Sequence, residues 1–138
     1  LREAEEELGI SAQELQWLGA LRAVPVVTGR YLIHPFAAWT TRDPASLRPC
    51  SEVERLIEIP LAPYLSGCQR TVVVQGSWRG EPAEMRHFQL DGCVLYGASA
   101  AILIDLLQRV ACSLNSELPE STPGSELPWG GRYDQHID

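Results

Sequence analysis

Arg2-Glu3-Ala4-Glu5-Glu6-Glu7-Leu8-Gly9-Ile10 is the stretch from which the rest of this chain is read. Residues 1–8 are strong helix formers throughout. Gly9 supplies a stop, because glycine enters the left-handed conformation at little cost. Glu3, Glu5, Glu6 and Glu7 crowd this short helix with carboxylates. Glu6 and Glu7 stand three and four positions after Glu3, so the three share one helical face. Like charges at that spacing cost about 0.2–0.5 kcal/mol per pair. They also sit near a helix C-terminus, where the dipole prefers cations. Arg2 relieves part of the repulsion by pairing with Glu6, four residues on. A bound Mg²⁺ would relieve more, since hard cations take carboxylate oxygens as ligands. A solvated acidic helix surface is the ordinary reading of such a run. Ala4 and Leu8 face a core under either reading.

Working outward, Ser11 and Glu14 have capping-box spacing and predict a short turn of helix. Residues 15–21 read as extended, 25–29 as a loop, and 31–41 as β-rich. Arg42-Asp43-Pro44 follows as a turn. Residues 53–59 alternate apolar and polar, closer to strand than to helix. Residues 60–67 hold a short helix. Residues 70–78 form a β-branched run. Residues 81–84 make a polar connection and 85–90 resume as a strand, giving a hairpin. Residues 97–114 form the best helix, with Ala98, Ala101, Ile102, Leu106 and Val110 at helical spacings. From residue 115 the composition turns to Ser, Glu, Pro and Gly, and 115–138 is expected to be a disordered acidic tail. The main domain is then 1–114.

Composition narrows the function classes. The 138 residues are 45% hydrophobic and 21% charged, a balance suited to one globular core. No apolar run approaches ~20 residues, so no membrane-spanning helix is expected. Net charge is −7, and Glu117, Glu120, Glu126, Asp134 and Asp138 stand against Arg132 alone in the tail. With no basic stripe, a nucleic-acid duplex is not an expected partner. An acidic protein still accepts an anionic substrate when divalent cations mediate the contact. Cys50, Cys68, Cys93 and Cys112 contain no C-x-x-C pair. They read as reduced thiols, mostly buried, of a cytoplasmic-type compartment. Phosphate-cradling glycine loops are absent from the sequence. His34 and His87 read as packed or surface histidines, and no Ser/His/Asp or Cys/His ordering supports nucleophilic catalysis. Trp17, Trp39 and Trp78 read as core or edge aromatics, and Trp129-Gly130-Gly131-Arg132-Tyr133 as part of the tail.

The opening stretch resembles the second half of the Nudix box, Arg-Glu-apolar-x-Glu-Glu-x-Gly-apolar, at all nine closing positions. The opening Gly and first Glu of that motif would lie upstream of Leu1. Ser51-Glu52-Val53-Glu54-Arg55-Leu56-Ile57-Glu58-Ile59-Pro60-Leu61 resembles a late strand of many Nudix enzymes. His87-Phe88 followed by Leu95-Tyr96-Gly97-Ala98-Ser99-Ala100-Ala101-Ile102-Leu103 resembles the coenzyme A pyrophosphatase branch, with Tyr96 where Trp is usual and Ser99 where Thr is usual. Residues 25–36 resemble that branch's loop and following strand, so the resemblance spans about residues 1–112.

The resemblance implies an α/β fold, a Nudix-like α/β/α sandwich with a mixed sheet whose first strands this chain lacks. It implies metal-dependent hydrolysis of a nucleoside diphosphate linked to another moiety, coenzyme A or acyl-coenzyme A first. The cofactor would be Mg²⁺ or Mn²⁺, held by Glu3, Glu6 and Glu7. Glu3 or Glu52 would take the proton from the attacking water, and Arg2 would orient the carboxylates. Arg55 stands where an acid is often found, which leaves Glu52 as the distal carboxylate. Val27, Gly29 and Tyr31 would contact substrate, with Val26 and Phe36 completing an apolar groove. The alternatives are a Nudix-like domain that binds nucleotide or protein without hydrolysis, and a structural domain with a charged helix.

Overall fold

The computed structural model describes residues 2–26, 29–78 and 80–130. The chain divides into two compact units, residues 1–21 with 35–59, and residues 22–34 with 60–138.

The first unit opens with α1 (Arg2–Leu8), the expected acidic helix. Gly9 ends it at φ +68°, where its N–H donates to Glu5 O at 3.0 Å. This left-handed cap satisfies a carbonyl that the helix end leaves unpaired. The next residue, Ile10, is the unit's buried apolar anchor at 5% exposure. A 3₁₀ turn follows at Ala12–Glu14, where the Ser11 N–H donates to Glu14 Oε2 at 2.9 Å. β1 (Gln16–Ala20) then pairs antiparallel with β4 (Phe36–Trp39), with a register shift between Trp17 and Gly19. A second 3₁₀ turn, Pro44–Ser46, is capped by Asp43, which accepts from the Ala45 N–H.

The second unit contains β2 (Val24–Pro25) paired with β3 (Leu32–Ile33), and then α2 (Ala62–Ser66). Its main sheet combines β5 (Val72–Trp78), β6 (Glu81–Leu90), β7 (Cys93–Leu95) and β8 (Thr122–Pro123) in the order β7-β6-β5-β8. The pairings are antiparallel except β5 with β8, which is parallel. The expected α/β class and mixed sheet are therefore present. α3 (Gly97–Ser113) packs on β6. Phe88, Ala100 and Leu107 are fully buried and form the centre of this core with Val74, Tyr64 and Ala111. The Tyr64 ring meets Phe88 edge-on at 5.1 Å. Burial raises the Tyr64 phenol above its ordinary pKa.

Several elements differ from the sequence reading. Residues 53–59 form no strand, and Leu56 and Ile57 stay exposed. Alternation suits a residue to a strand, but a strand exists only where a neighbour completes its ladder. Residues 81–84 belong to β6, because the turn tightens at Gly80 (φ +83°) and Ser77 pairs directly with Pro82. α3 has the expected bounds to within a residue, yet its buried positions are Ala100, Asp105, Leu107 and Ala111. Of the stripe read from periodicity, Ala101 is exposed and the other four are half-buried. Apolar residues occupy every side of 102–107 except Asp105, so the pattern cannot select the buried face. The cysteines are free; Cys50 and Cys93 are half-buried, and Cys68 and Cys112 exposed. Trp17 and Trp39 are more than half exposed on their hairpin.

The tail differs most. Residues 115–130 do not lie loose: the Thr122 N–H donates to Thr71 O and the Gly124 N–H to Val73 O, both at 2.8 Å. Thr71 Oγ1 and Ser121 Oγ share a 2.7 Å hydrogen bond. A sheet edge presents a row of unpaired backbone groups, and here the chain's own tail takes them up. Gly124 is required for this approach. A Cβ there would collide with Val72 Cγ1 and lie 3.2 Å from Val74 Cγ2. Residues 131–138, with His136, lie outside the described residues.

Candidate functional site

α1 displays Arg2, Glu3, Glu6 and Glu7 on its exposed surface, while Ala4 and Leu8 are half-buried. Arg2 Nη2 lies 3.2 Å from Glu3 Oε1, and Arg2 Nε lies 3.6 Å from Glu6 Oε1. The expected Arg2–Glu6 pairing is therefore present, with Glu3 added. These side chains are mostly solvent-exposed, so each pair contributes under about 1 kcal/mol.

The C-terminal end of α1 is secured by the segment that leads to Glu52. The Arg48 N–H donates to Leu8 O at 3.2 Å, and the Cys50 N–H to Glu7 O at 2.9 Å. Both carbonyls would otherwise be unpaired at the helix end. The Val53 N–H then donates to Cys50 O at 3.1 Å, closing a turn that contains Ser51 and Glu52. Glu52 is exposed on that turn, two residues beyond a direct bond to the backbone of Glu7.

Arg42 organises the same unit, and the sequence reading assigned it only to a turn. Its Nη1 donates to Gly9 O at 3.0 Å and to Glu14 Oε1 at 2.9 Å, and its Nε donates to Ser46 Oγ at 3.2 Å. One guanidinium thus ties the turn below α1 to both 3₁₀ turns. The Ser11 N–H is the main cause that lowers the Glu14 pKa, and Arg42 adds to it. No local pattern signals such a contact between residues 9 and 42; only folding brings them together.

The predicted substrate contacts belong to the other unit. The Gly29 N–H donates to Val26 O at 2.8 Å with φ +66°, and the Val26 N–H donates to Tyr31 O at 3.1 Å. This turn joins β2 to β3 and leaves Tyr31 74% exposed. Val27 lies outside the described residues. Phe36, expected to complete the groove, stands in the first unit with its ring 4.7 Å from Trp17. It packs its own hairpin.

Among the described residues, no group of three or more His, Cys, Asp or Glu side chains converges in a way that could hold a metal ion. A preformed cage is not what Mg²⁺ requires. It keeps several waters and is held by one or two carboxylates together with substrate phosphates. The all-oxygen donors on the open face of α1 suit that mode.

Over 110 residues the chain is 30% identical to a protein of Photorhabdus laumondii named as the uncharacterized Nudix hydrolase NudL. The chain is similar to a Nudix hydrolase. The aligned region covers 80% of this chain and 58% of that relative, so the chain spans a little over half of the relative's length. No family model matches the chain. No solved structure matches it. The likeness supports the Nudix family. Among the described residues, no helix is long and apolar enough to cross a membrane.

Proposed function

We propose that this chain carries the catalytic helix of a Nudix pyrophosphohydrolase that cleaves a nucleoside diphosphate linked to a second moiety, coenzyme A or an acyl derivative first. The likeness to a Nudix hydrolase over 110 residues is the observation that carries the reading. The Arg2-anchored carboxylate face of α1 supports it. Glu3, Glu6 and Glu7 would hold Mg²⁺ or Mn²⁺. When bound, the cation supplies neutralisation of the diphosphate charge and a lowered pKa for water. Arg2 is a positioning residue for Glu3 and Glu6. Glu3 or Glu52 serves as general base, accepting the proton of the water that attacks phosphorus. The Gly29–Tyr31 turn, with Val27, contacts the apolar arm of the substrate. Coenzyme A is favoured by the Tyr96-Gly97-Ala98-Ser99-Ala100 segment and by residues 25–36, which resemble one branch of the family.

The test uses the chain and the full-length product of its gene. Each is offered coenzyme A, ADP-ribose, NADH and a nucleoside triphosphate at equal concentration with Mg²⁺. Coenzyme A should rank first in rate, yielding a phosphopantetheine product and an adenosine bisphosphate. A clear preference for ADP-ribose or a triphosphate defeats the branch assignment. Hydrolysis of none of them by the full-length product favours a binding domain without catalysis.

A further inference from the structure

α1 needs an external hold. It is seven residues long and none of its residues is fully buried. A helix of that length is marginal by itself, and the Glu3, Glu6 and Glu7 carboxylates repel one another. Its last turn carries no cation to meet the negative end of the helix dipole. Its direction is therefore set by what binds its C-terminal end.

Three successive carbonyls there are bound by one short segment. Glu7 O accepts from the Cys50 N–H at 2.9 Å, Leu8 O from the Arg48 N–H at 3.2 Å, and Gly9 O from Arg42 Nη1 at 3.0 Å. Of these three donors Arg42 alone is a side chain, so a substitution removes its bond and leaves the backbone pairs in place. Its guanidinium also brings to the helix end the positive charge that the last turn lacks.

The same group grips the donor segment. Arg42 Nε donates to Ser46 Oγ at 3.2 Å, and Ser46 Oγ donates to Asp43 O at 2.7 Å. Glu14 Oε1 and Oε2 lie 2.9 and 3.1 Å from Nη1 and balance the charge. The Arg42 side chain is only 25% exposed, so these bonds are partly shielded from water. A planar guanidinium holds several acceptors in fixed directions, which a lysine ammonium on a flexible stem does not.

We propose that Arg42 is a positioning residue for hydrolysis: by clamping Gly9 O to the 43–46 turn, it sets the direction of Glu6 and Glu7 and their alignment with Glu52. The inference rests on the reading of Glu6 and Glu7 as metal ligands and of Glu52 as a base. Arg42 acts through the backbone at Gly9. Slack at that point reaches both sides of the site, because the Cys50 N–H that holds Glu7 O lies two residues before Glu52. Groups that orient metal ligands typically contribute about 10–100-fold to metal affinity or activity.

The test uses the full-length gene product. Mn²⁺ binding is read by electron paramagnetic resonance without substrate, and coenzyme A hydrolysis is followed against Mg²⁺ concentration. Circular dichroism establishes conditions in which each protein is folded. Arg42→Met should weaken Mn²⁺ binding about tenfold, the lower end of that range, and raise the Mg²⁺ needed for half-maximal rate by the same factor. At saturating Mg²⁺, kcat should fall about tenfold while KM for coenzyme A changes less than twofold. Arg42→Lys should recover part of the loss and remain severalfold weaker than wild type. A merely structural role lowers the denaturation midpoint and leaves the Mn²⁺ affinity of the folded protein unchanged. Wild-type Mn²⁺ affinity in folded Arg42→Met would overturn the proposal. Should Arg42→Met not fold, wild-type affinity in Arg42→Lys would overturn it instead. A wild-type protein that binds no Mn²⁺ defeats the metal reading of α1 and this inference with it. Wild type that binds Mn²⁺ beside an unaltered Arg42→Met defeats this inference alone. The Mn²⁺ measurement needs no substrate, so it decides the matter whichever diphosphate is cleaved.

Discussion

Asp105→Asn removes the one buried charge of α3 with almost no change of shape. The Asp105 side chain is 9% exposed. Its Oδ2 accepts from the Arg22 N–H across 83 residues of chain, and from Arg109 one helical turn away. Hydrogen bonds to a charged group contribute about 1.5–3 kcal/mol and neutral ones about 1 kcal/mol. Asparagine keeps one carbonyl acceptor, so the Arg22 bond drops from the first class to the second, a loss of about 1 kcal/mol. Arg109 is 54% exposed, so its pairing adds only about 0.5–1 kcal/mol after solvent screening. Relief of the buried charge offsets a fraction of this. The net expectation is a loss of about 1–2 kcal/mol at pH 7, from the sum of these two effects. The measurement is urea unfolding followed by far-UV circular dichroism, in which α3 dominates the helical signal. The pH series is the sharper part. The Arg22 N–H, opposed by burial and helped by Arg109, holds the Asp105 carboxyl below its ordinary 3.8. A depressed carboxylate contributes stability that is complete above the unfolded pKa and is lost as pH falls through the folded value. Wild type and Asp105→Asn should therefore differ fully above about pH 5 and converge in strong acid. A difference that stays constant down to pH 2, or an Asn variant as stable as wild type at pH 7, would refute the reasoning.

Four other outcomes follow from particular contacts. In the full-length gene product, Glu6→Gln and Glu7→Gln should each lower diphosphate hydrolysis by orders of magnitude without loss of stability, since each removes a repelling charge from α1; wild-type rates in Glu6→Gln sink its proposed role. His87 is 2% exposed and its Nδ1 has no hydrogen-bond partner among the described residues, so His87→Leu should raise unfolding stability by about 1 kcal/mol; a lower denaturation midpoint would show that the nitrogen is satisfied. Phe88→Ala empties a fully buried site beneath Tyr64 and should cost about 3–5 kcal/mol by chemical denaturation. Gly9→Ala meets only ordinary contacts at 3.6 Å from Arg48, so its cost should be the left-handed backbone alone, about 1–2 kcal/mol; a larger loss would mean that the Arg42 bond to Gly9 O is broken as well.

Local chemistry made much of the chain legible without coordinates. The helix over Arg2–Leu8, its glycine stop, the Ser11–Glu14 turn and the Arg2–Glu6 pair depend on residues within four positions of one another, and each stands where the sequence places it. The same holds, to within two residues at each end, for α2 and α3 and for the β-branched run of β5. The carboxylate face of α1, which supports the functional proposal, was legible for this reason.

What required tertiary structure was every choice among partners. Residues 53–59 alternate like a strand and find no ladder. α3 is apolar on more than one side, and packing on β6 buries Ala100, Leu107 and Ala111 rather than the stripe that periodicity suggests. The polar tail has no pattern of its own, yet a free edge on β5 and the missing Cβ of Gly124 seat it there and bring Trp129 beside Tyr96. Arg42 reaches Gly9 and Arg22 reaches Asp105 through contacts 33 and 83 residues apart. A residue's neighbours in sequence determine which conformations are cheap. Which of its faces is buried, and against what, depends on the closure of long loops, and no window along the chain contains that information.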